Sequence, residues 1–255
     1  MLSTWFLLAS FAIGIPTRAV LDIPRRTILA IGAHAGDMEI TCGALLAKHT
    51  KAGDRVVLLH LTLGEGGNPR MTPEDYGRQK RLEAEAAARA IRAEVLYGPF
   101  RDGELPNNDE ARRYVADVIR RVKPTHVITH WKRSLHKDHA AAHAIATDAI
   151  LLASLPGIKS DLPAYNGVRM VLFAENWEDK PEFEPYLFFD VSDALDDWEK
   201  CVTQYEFIRG GISKFPYLEY YRSLFKVRGA EGGVGAAECF EIEPWEKKQT
   251  YRTLP

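Results

Sequence analysis

From Thr27 onward the chain alternates short apolar runs with longer segments of helical periodicity, and this alternation restricts the possible folds more than any other feature. TILAIGAH (27–34) is an apolar run ending in small residues, and RVVLLHLTLGE (55–65) is a second that closes in Gly64. THVITH (125–130), VRMVLFAE (168–175) and YLFFDV (186–191) follow, with a short strand expected at Glu94–Gly98. Runs that are apolar along their length suit strands covered on both faces, as in a parallel sheet. Between them, Met38–Lys51 reads as a helix with Ile40, Leu45 and Leu46 inward. A second helix starts at Thr72, a cap followed by Pro73 in the first turn, and runs to about Ile91. Others are expected from Asn108 or Asp109 to about Val122, at Asp138–Leu155, at Asp193–Ile208 and at Tyr217–Lys226, before an irregular tail. The fold class that follows is α/β: a Rossmann-like three-layer fold with a mostly parallel sheet and helices on both faces.

The 255 residues are enough for one such domain, expected over 25–255, with no internal repeat, low-complexity tract or linker. A formal net charge of -2 argues against a nucleic-acid binder driven by a basic surface. Cys42, Cys201 and Cys239 lie far apart, so neither a disulfide framework nor a cysteine-rich zinc site is expected. Residues 1–24 have two readings, an N-terminal extension that packs on the domain or a signal segment. Ser3–Ile15 is apolar but too short for a bilayer span, which needs roughly 20 residues, and no Lys or Arg precedes it. Cytoplasmic and secreted locations therefore both stay open, as does the oligomeric state, a homo-oligomer included.

Parallel sheets place functional loops at the carboxyl ends of their strands. Three such ends carry chemistry: Ala33–Glu39, Gly64–Gly67, and Trp131–His139 with its His136-Lys137-Asp138-His139 run. His34 and Asp37 sit where a strand turns into a helix and supply a nitrogen and an oxygen ligand, a mixture that suits zinc. His139, from a second loop at the same edge, completes a two-His, one-carboxylate set that leaves a position open, as catalytic sites do. His143 shares a helix face with His139 and ranks below it, as a packed helix residue. The bland alternatives are that Asp37 or Asp138 merely caps its helix and that each histidine is a hydrogen-bonded structural residue. His60 and His126 are expected in the core and His49 near a helix C-terminus; His130 ends a strand near the site and has no assigned role. Asn68–Thr72, Arg101–Asn108 and Gly210–Pro216 are the loops expected to shape a pocket.

AHAGDME followed by HKDH resembles the AHPDDxE and HxDH motifs of the LmbE/PIG-L family of zinc-dependent N-acetylglucosaminyl deacetylases, which have a Rossmann-like fold. TLGEGG (62–67), Arg81-Leu82-Glu83, RDGEL (101–105), AENWED (174–179) and RGAEGGVGAAECF (228–240) resemble further family segments, so the likeness runs from about Thr27 to Phe240. The resemblance implies one zinc ion on His34, Asp37 and His139. It implies His136 as the oxyanion-stabilising or proton-donating residue, with Asp138 orienting it, and Glu65, Arg81 and Asp102 as substrate-binding residues. The implied substrate is a small molecule, an N-acetylated sugar conjugate, and the implied reaction its deacetylation.

The chain departs from the motif at one position. The first Asp of AHPDDxE, the family's usual general base, is Gly36 here, and the preceding Pro is Ala35. General-base catalysis is worth roughly 10²–10⁴-fold, so the loss matters. Glu65 or Glu39 is the expected substitute, and an aspartate restored at 36 is expected to raise an amidase rate. The alternative is a catalytically impaired metal-binding homologue that binds a sugar or a protein partner. A dinucleotide-binding domain ranks last, because His34 occupies the second glycine position of GxGxxG and the third glycine is absent.

Overall fold

The computed structural model describes residues 25–248, so the reading of residues 1–24 lies outside the described residues. Its centre is a seven-stranded sheet built from β1 (Thr27–Gly32), β2 (Arg55–His60), β3 (Glu94–Tyr97), β4 (His126–Thr129), β5 (Met170–Ala174), β6 (Leu187–Asp190) and β7 (Ala237–Glu241). The strand order is β3-β2-β1-β4-β5-β7-β6. β1 to β5 run parallel, whereas β7 is antiparallel to both β5 and β6. The helices are α1 (Asp37–Lys51), α2 (Pro73–Ala90), α3 (Asp109–Val122), α4 (Lys137–Ser154), α5 (Leu195–Val202) and α6 (Tyr217–Gly232).

The apolar runs behave as expected of strands covered twice. In β1, Ile28 and Ala30 join the core under α1, α2, α5 and α6, while Leu29 and Ile31 join the core under α3 and α4. Val56 and Leu58 of β2 divide from Val57 and Leu59 in the same way. Because β1 pairs with β2 on one side and β4 on the other, the chain reverses its winding direction there. The crevice at the carboxyl ends of β1 and β4 is the topological switch point, the favoured ligand position in such sheets.

Three features differ from the sequence expectation. β7 lies in the tail expected to be irregular. Its core residues Ala237, Cys239 and Phe240 are interrupted by Glu238 and Glu241, which disguise a buried strand as a polar one. The Glu238 carboxylate is buried because it accepts the N–H groups of Ala44 and Leu45 in α1, at 3.0 and 2.9 Å. α5 stops at Val202 instead of Ile208, releasing a loop whose Tyr205 is fully buried. α6 runs on to Gly232, where Gly233 closes it at φ 73°. No helix among the described residues is long and apolar enough to cross a membrane.

Candidate metal centre

The loop after β1 enters α1 through Gly36, whose φ of 109° places the chain in the left-handed region. This sharp turn brings His34 and Asp37 together: Asp37 Oδ2 accepts the His34 backbone N–H at 2.7 Å and lies 3.3 Å from His34 Nδ1. The end of β4 and the first turn of α4 deliver the remaining donors, His130 and His139. His139 Nε2 lies 3.6 Å and His130 Nε2 3.1 Å from the same Asp37 oxygen. Ligands held tetrahedrally at zinc bond lengths are separated by about 3.3 Å, and His34 Nδ1 and His139 Nε2 each approach Asp37 Oδ2 to about that separation, at 3.3 and 3.6 Å. Among the described residues three overlapping groups are close enough to hold a metal ion: His34, His136 and His139; Asp37, His130 and His139; and His34, Asp102 and Asp138.

Charge and protonation favour a cation there. His139 Nδ1 is 3.0 Å from Asp179 Oδ1, which fixes the proton on Nδ1 and leaves Nε2 bare towards Asp37. Burial pushes the His139 pKa down to about 4, so the ring is neutral, the form that binds metals. Asp37 stays ionised: burial opposes its charge, but His34 and His139 hold its pKa well below the usual carboxylate range. His34 is buried, yet Asp37, Asp102 and Asp138 raise its pKa well above that of a free imidazole. Carboxylates this close to one imidazole favour positive charge at His34, from a ring proton or from a bound cation. His34 Nε2 and Asp138 Oδ1 are also buried without a well-aligned hydrogen bond, although Asp102 Oδ1 lies 3.1 Å from His34 Nε2.

The other expected site residues divide into those at the cluster and those away from it. His136 caps α4, its Nδ1 accepting the Asp138 N–H at 3.3 Å, and it lies edge-on to His34 with centroids 4.6 Å apart. The Asp138 carboxylate accepts from Gly103 N at 2.7 Å and lies 3.6 Å from His34 Nε2; it serves His34 and the 101–105 loop, not the His136 ring. Asp102 Oδ1 is 3.1 Å from His34 Nε2, and its Oδ2 accepts from Gly66 N at 2.9 Å. Glu65 spends both oxygens on the N–H groups of Asp102 and Leu63, at 2.9 and 3.2 Å, so it builds the loop. Arg81 lies away from the cluster, exposed on α2, with its guanidinium 3.9 Å from the centre of the Tyr97 ring. His143 meets the cluster through backbone only: its Nδ1 lies 2.9 Å from the His130 carbonyl, and its ring packs on Phe173. Glu39 is fully buried, 2.5 Å from Tyr205 Oη and 3.3 Å from His60 Nε2.

The sequence reading missed three residues. His130 is fully buried, stacked on His139 at 4.0 Å, with Nδ1 donating to Asp179 Oδ2 at 3.0 Å and Nε2 accepting the Ala33 N–H at 3.1 Å. Asp179 thus orients two imidazoles. Glu178 Oε2 lies 3.7 Å from His139 Nε2, and burial, helped by Asp37 and Asp179, pushes its pKa up to about 7. Both carboxylates follow β5, a third strand ending at the same sheet edge, and that position was the available signal. Glu178 also lines a cleft of about 40 Å³ with Asp37, Asn176, Phe207 and Tyr217.

The space beside Gly36 is filled. A Cβ built there would stand 2.9 Å from Phe207 Cζ and 3.7 Å from Tyr205 Cε2. An aspartate at 36 therefore meets both a positive φ and an aromatic ring, which weighs against the expected gain in rate.

Fold and site together define an α/β protein with a His/carboxylate centre, able to hold a metal ion, at its topological switch point. The model of the PIG-L family, described as GlcNAc-PI de-N-acetylase, matches residues 29–150. The matched span contains His34, Asp37, His136 and His139. The chain is 27% identical over 235 residues to the diacetylchitobiose deacetylase of Thermococcus kodakarensis, covering 86% of this chain and 84% of that one. It is 26% identical over 219 residues to the 4-oxalmesaconate hydratase of Pseudomonas putida, covering 83% of each. Among solved structures, the conserved protein TT1542 of Thermus thermophilus superposes with a TM-score of 0.77 at 26% identity, covering 90% of this chain and all of that one.

Proposed function

We propose that this protein is a zinc-dependent deacetylase that hydrolyses the acetamide of an N-acetylated sugar conjugate, with His34, Asp37 and His139 as the metal ligands. The observation that carries the reading is the approach of His34 Nδ1 and His139 Nε2 to one Asp37 oxygen, at 3.3 and 3.6 Å, within the span that the PIG-L model matches. A divalent ion bound there polarises an acyl carbonyl and makes water a nucleophile near neutral pH. The chain's own residues supply the rest. His136, with Nδ1 engaged at the helix cap, has Nε2 left to stabilise the oxyanion or hand a proton to the leaving amine. Glu65 and Asp102 hold the 64–67 and 101–103 loops against the centre, and Arg81 contacts only an outer part of a substrate. Glu178, 3.7 Å from His139 Nε2, replaces Glu65 and Glu39 as the carboxylate placed to take the proton from water.

Acetate release from N-acetylglucosamine and diacetylchitobiose, measured with zinc and after chelation, tests the reading. Zinc-dependent release is expected, and Glu178→Gln should slow it by roughly 10²–10⁴-fold with the metal retained. Loss of metal in that variant would make Glu178 a ligand instead.

A second reading rests on Gly36 together with the hydratase relative that covers 83% of the chain. Addition of water across a carbon–carbon double bond conjugated to a carboxylate could use the same centre. Its signature is zinc-dependent loss of the ultraviolet absorbance of an unsaturated oxo acid. Tight zinc binding with neither activity would favour the impaired homologue that binds a sugar or protein partner.

A further inference from the structure

Lys80 is only 3% exposed, yet its ammonium meets a backbone carbonyl and two aromatic faces instead of a carboxylate. Nζ donates to Ala35 O at 2.5 Å and stands 4.2 Å from the centre of the Phe207 ring and 4.7 Å from that of Tyr205. A buried ammonium is costly without compensation, so the arrangement needs a reason. The carbonyls on either side have partners within the turn: His34 O accepts Asp37 N at 3.3 Å, and Gly36 O accepts Ile40 N at 2.9 Å. Ala35 O, between them, is held from outside by Lys80. It belongs to the peptide that precedes Gly36, the residue at φ 109° on which the approach of His34 to Asp37 depends.

We propose that Lys80 is a positioning residue for the metal centre: by clamping the Ala35 carbonyl from α2, it fixes the Gly36 turn and so sets the separation of His34 Nδ1 and Asp37 Oδ2. Phe207 and Tyr205 complete the clamp. They receive the ammonium on their faces, a stabilising cation–π contact, and Phe207 fills the space a side chain at 36 would take. The turn is thus braced from α2 and from the loop after α5, neither of which supplies a ligand. The proposal rests on the metal reading of the site.

Lys80→Met keeps most of the stem and removes the donor and the charge. Zinc affinity, measured by competition with a chromophoric chelator, should fall about 10–100-fold, the range for residues that orient ligands. The visible spectrum of the cobalt(II)-loaded protein should lose intensity as the ligand geometry relaxes, while the melting temperature of the metal-free protein holds within a few degrees. Lys80→Gln, a shorter stem that keeps a donor, should recover part of both signals. Zinc affinity within twofold of wild type in Lys80→Met overturns the proposal. So does a fall in melting temperature of more than about 10 °C in both variants, which would make Lys80 a support of the fold as a whole. Failure of the wild-type chain to bind zinc would be the failure of the metal reading, a separate and visible outcome.

Discussion

The turn from Ala33 to Asp37 has two sides, and they differ in kind. His34 and Asp37 face the imidazoles and carboxylates delivered by β4, α4 and the loop after β5. Gly36 faces Phe207, Tyr205 and the Lys80 clamp, with 2.9 Å between a built Cβ and the Phe207 ring. One side has every polar group expected of a metal centre; the other has aromatic packing where the family motif has a carboxylate. On the proposed reading, the metal-holding half of the motif and its proton-transfer half are separable: the turn keeps His34 and Asp37 while the space for the base is filled by Phe207.

The comparison is broken most severely by removing the shared oxygen. Asp37→Ala should lose stoichiometric zinc altogether, because the His34 and His139 nitrogens both meet that carboxylate; metal analysis of the purified variant is the check, and full occupancy would dismiss the ligand set. Asp179→Asn removes the charge and turns one of the two acceptors that fix His130 and His139 into a donor. Zinc affinity should fall about 10–100-fold, and an unchanged affinity would mean that packing alone aims the two rings.

On the other side, Gly36→Asp should cost roughly 2 kcal/mol from the left-handed φ and the Phe207 contact. That corresponds to a melting temperature lowered by about 4–8 °C, with no gain in hydrolysis. Adding Phe207→Ala should recover part of the loss, and a faster, fully stable Gly36→Asp would show that the wall yields. The smallest expected effect is in pH dependence. Burial lowers the Lys80 pKa to about 8 from 10.5. Below that pH the folded state bears the full cost of the buried charge, and the cost is relieved as pH rises towards 10.5. Wild-type stability relative to Lys80→Met should therefore rise between about pH 8 and 10.5; a flat difference in denaturant midpoint across that window would mean that the ammonium is compensated.

Much of this was legible in the sequence, for identifiable reasons. β1 and β2 are apolar on both faces, so their burial and parallel pairing follow from composition alone, and the strand-end rule then brings His34, Asp37 and His139 to one edge. β7 was not legible because Glu238 and Glu241 flank and break its apolar residues, and the burial of Glu238 depends on the N–H groups of Ala44 and Leu45, which lie 194 and 193 positions away in the chain. Asp179 and Glu178 are separated from His139 by 40 and 39 positions, and nothing local marks them as its neighbours. Lys80 reads as one more polar residue of an exposed helix, because its reason for burial, the Ala35 carbonyl, is a backbone atom that a sequence does not display.

The central claim is that one divalent ion sits between His34, Asp37 and His139. A zinc-soaked crystal measured at the zinc absorption edge tests it directly. The account predicts one anomalous peak about 2.0–2.2 Å from His34 Nδ1, Asp37 Oδ2 and His139 Nε2. A peak bound instead by Asp37, His130 and His139 or by His34, Asp102 and Asp138, the two His/carboxylate groups of this edge close enough to hold an ion, or no peak at full zinc saturation, would contradict it.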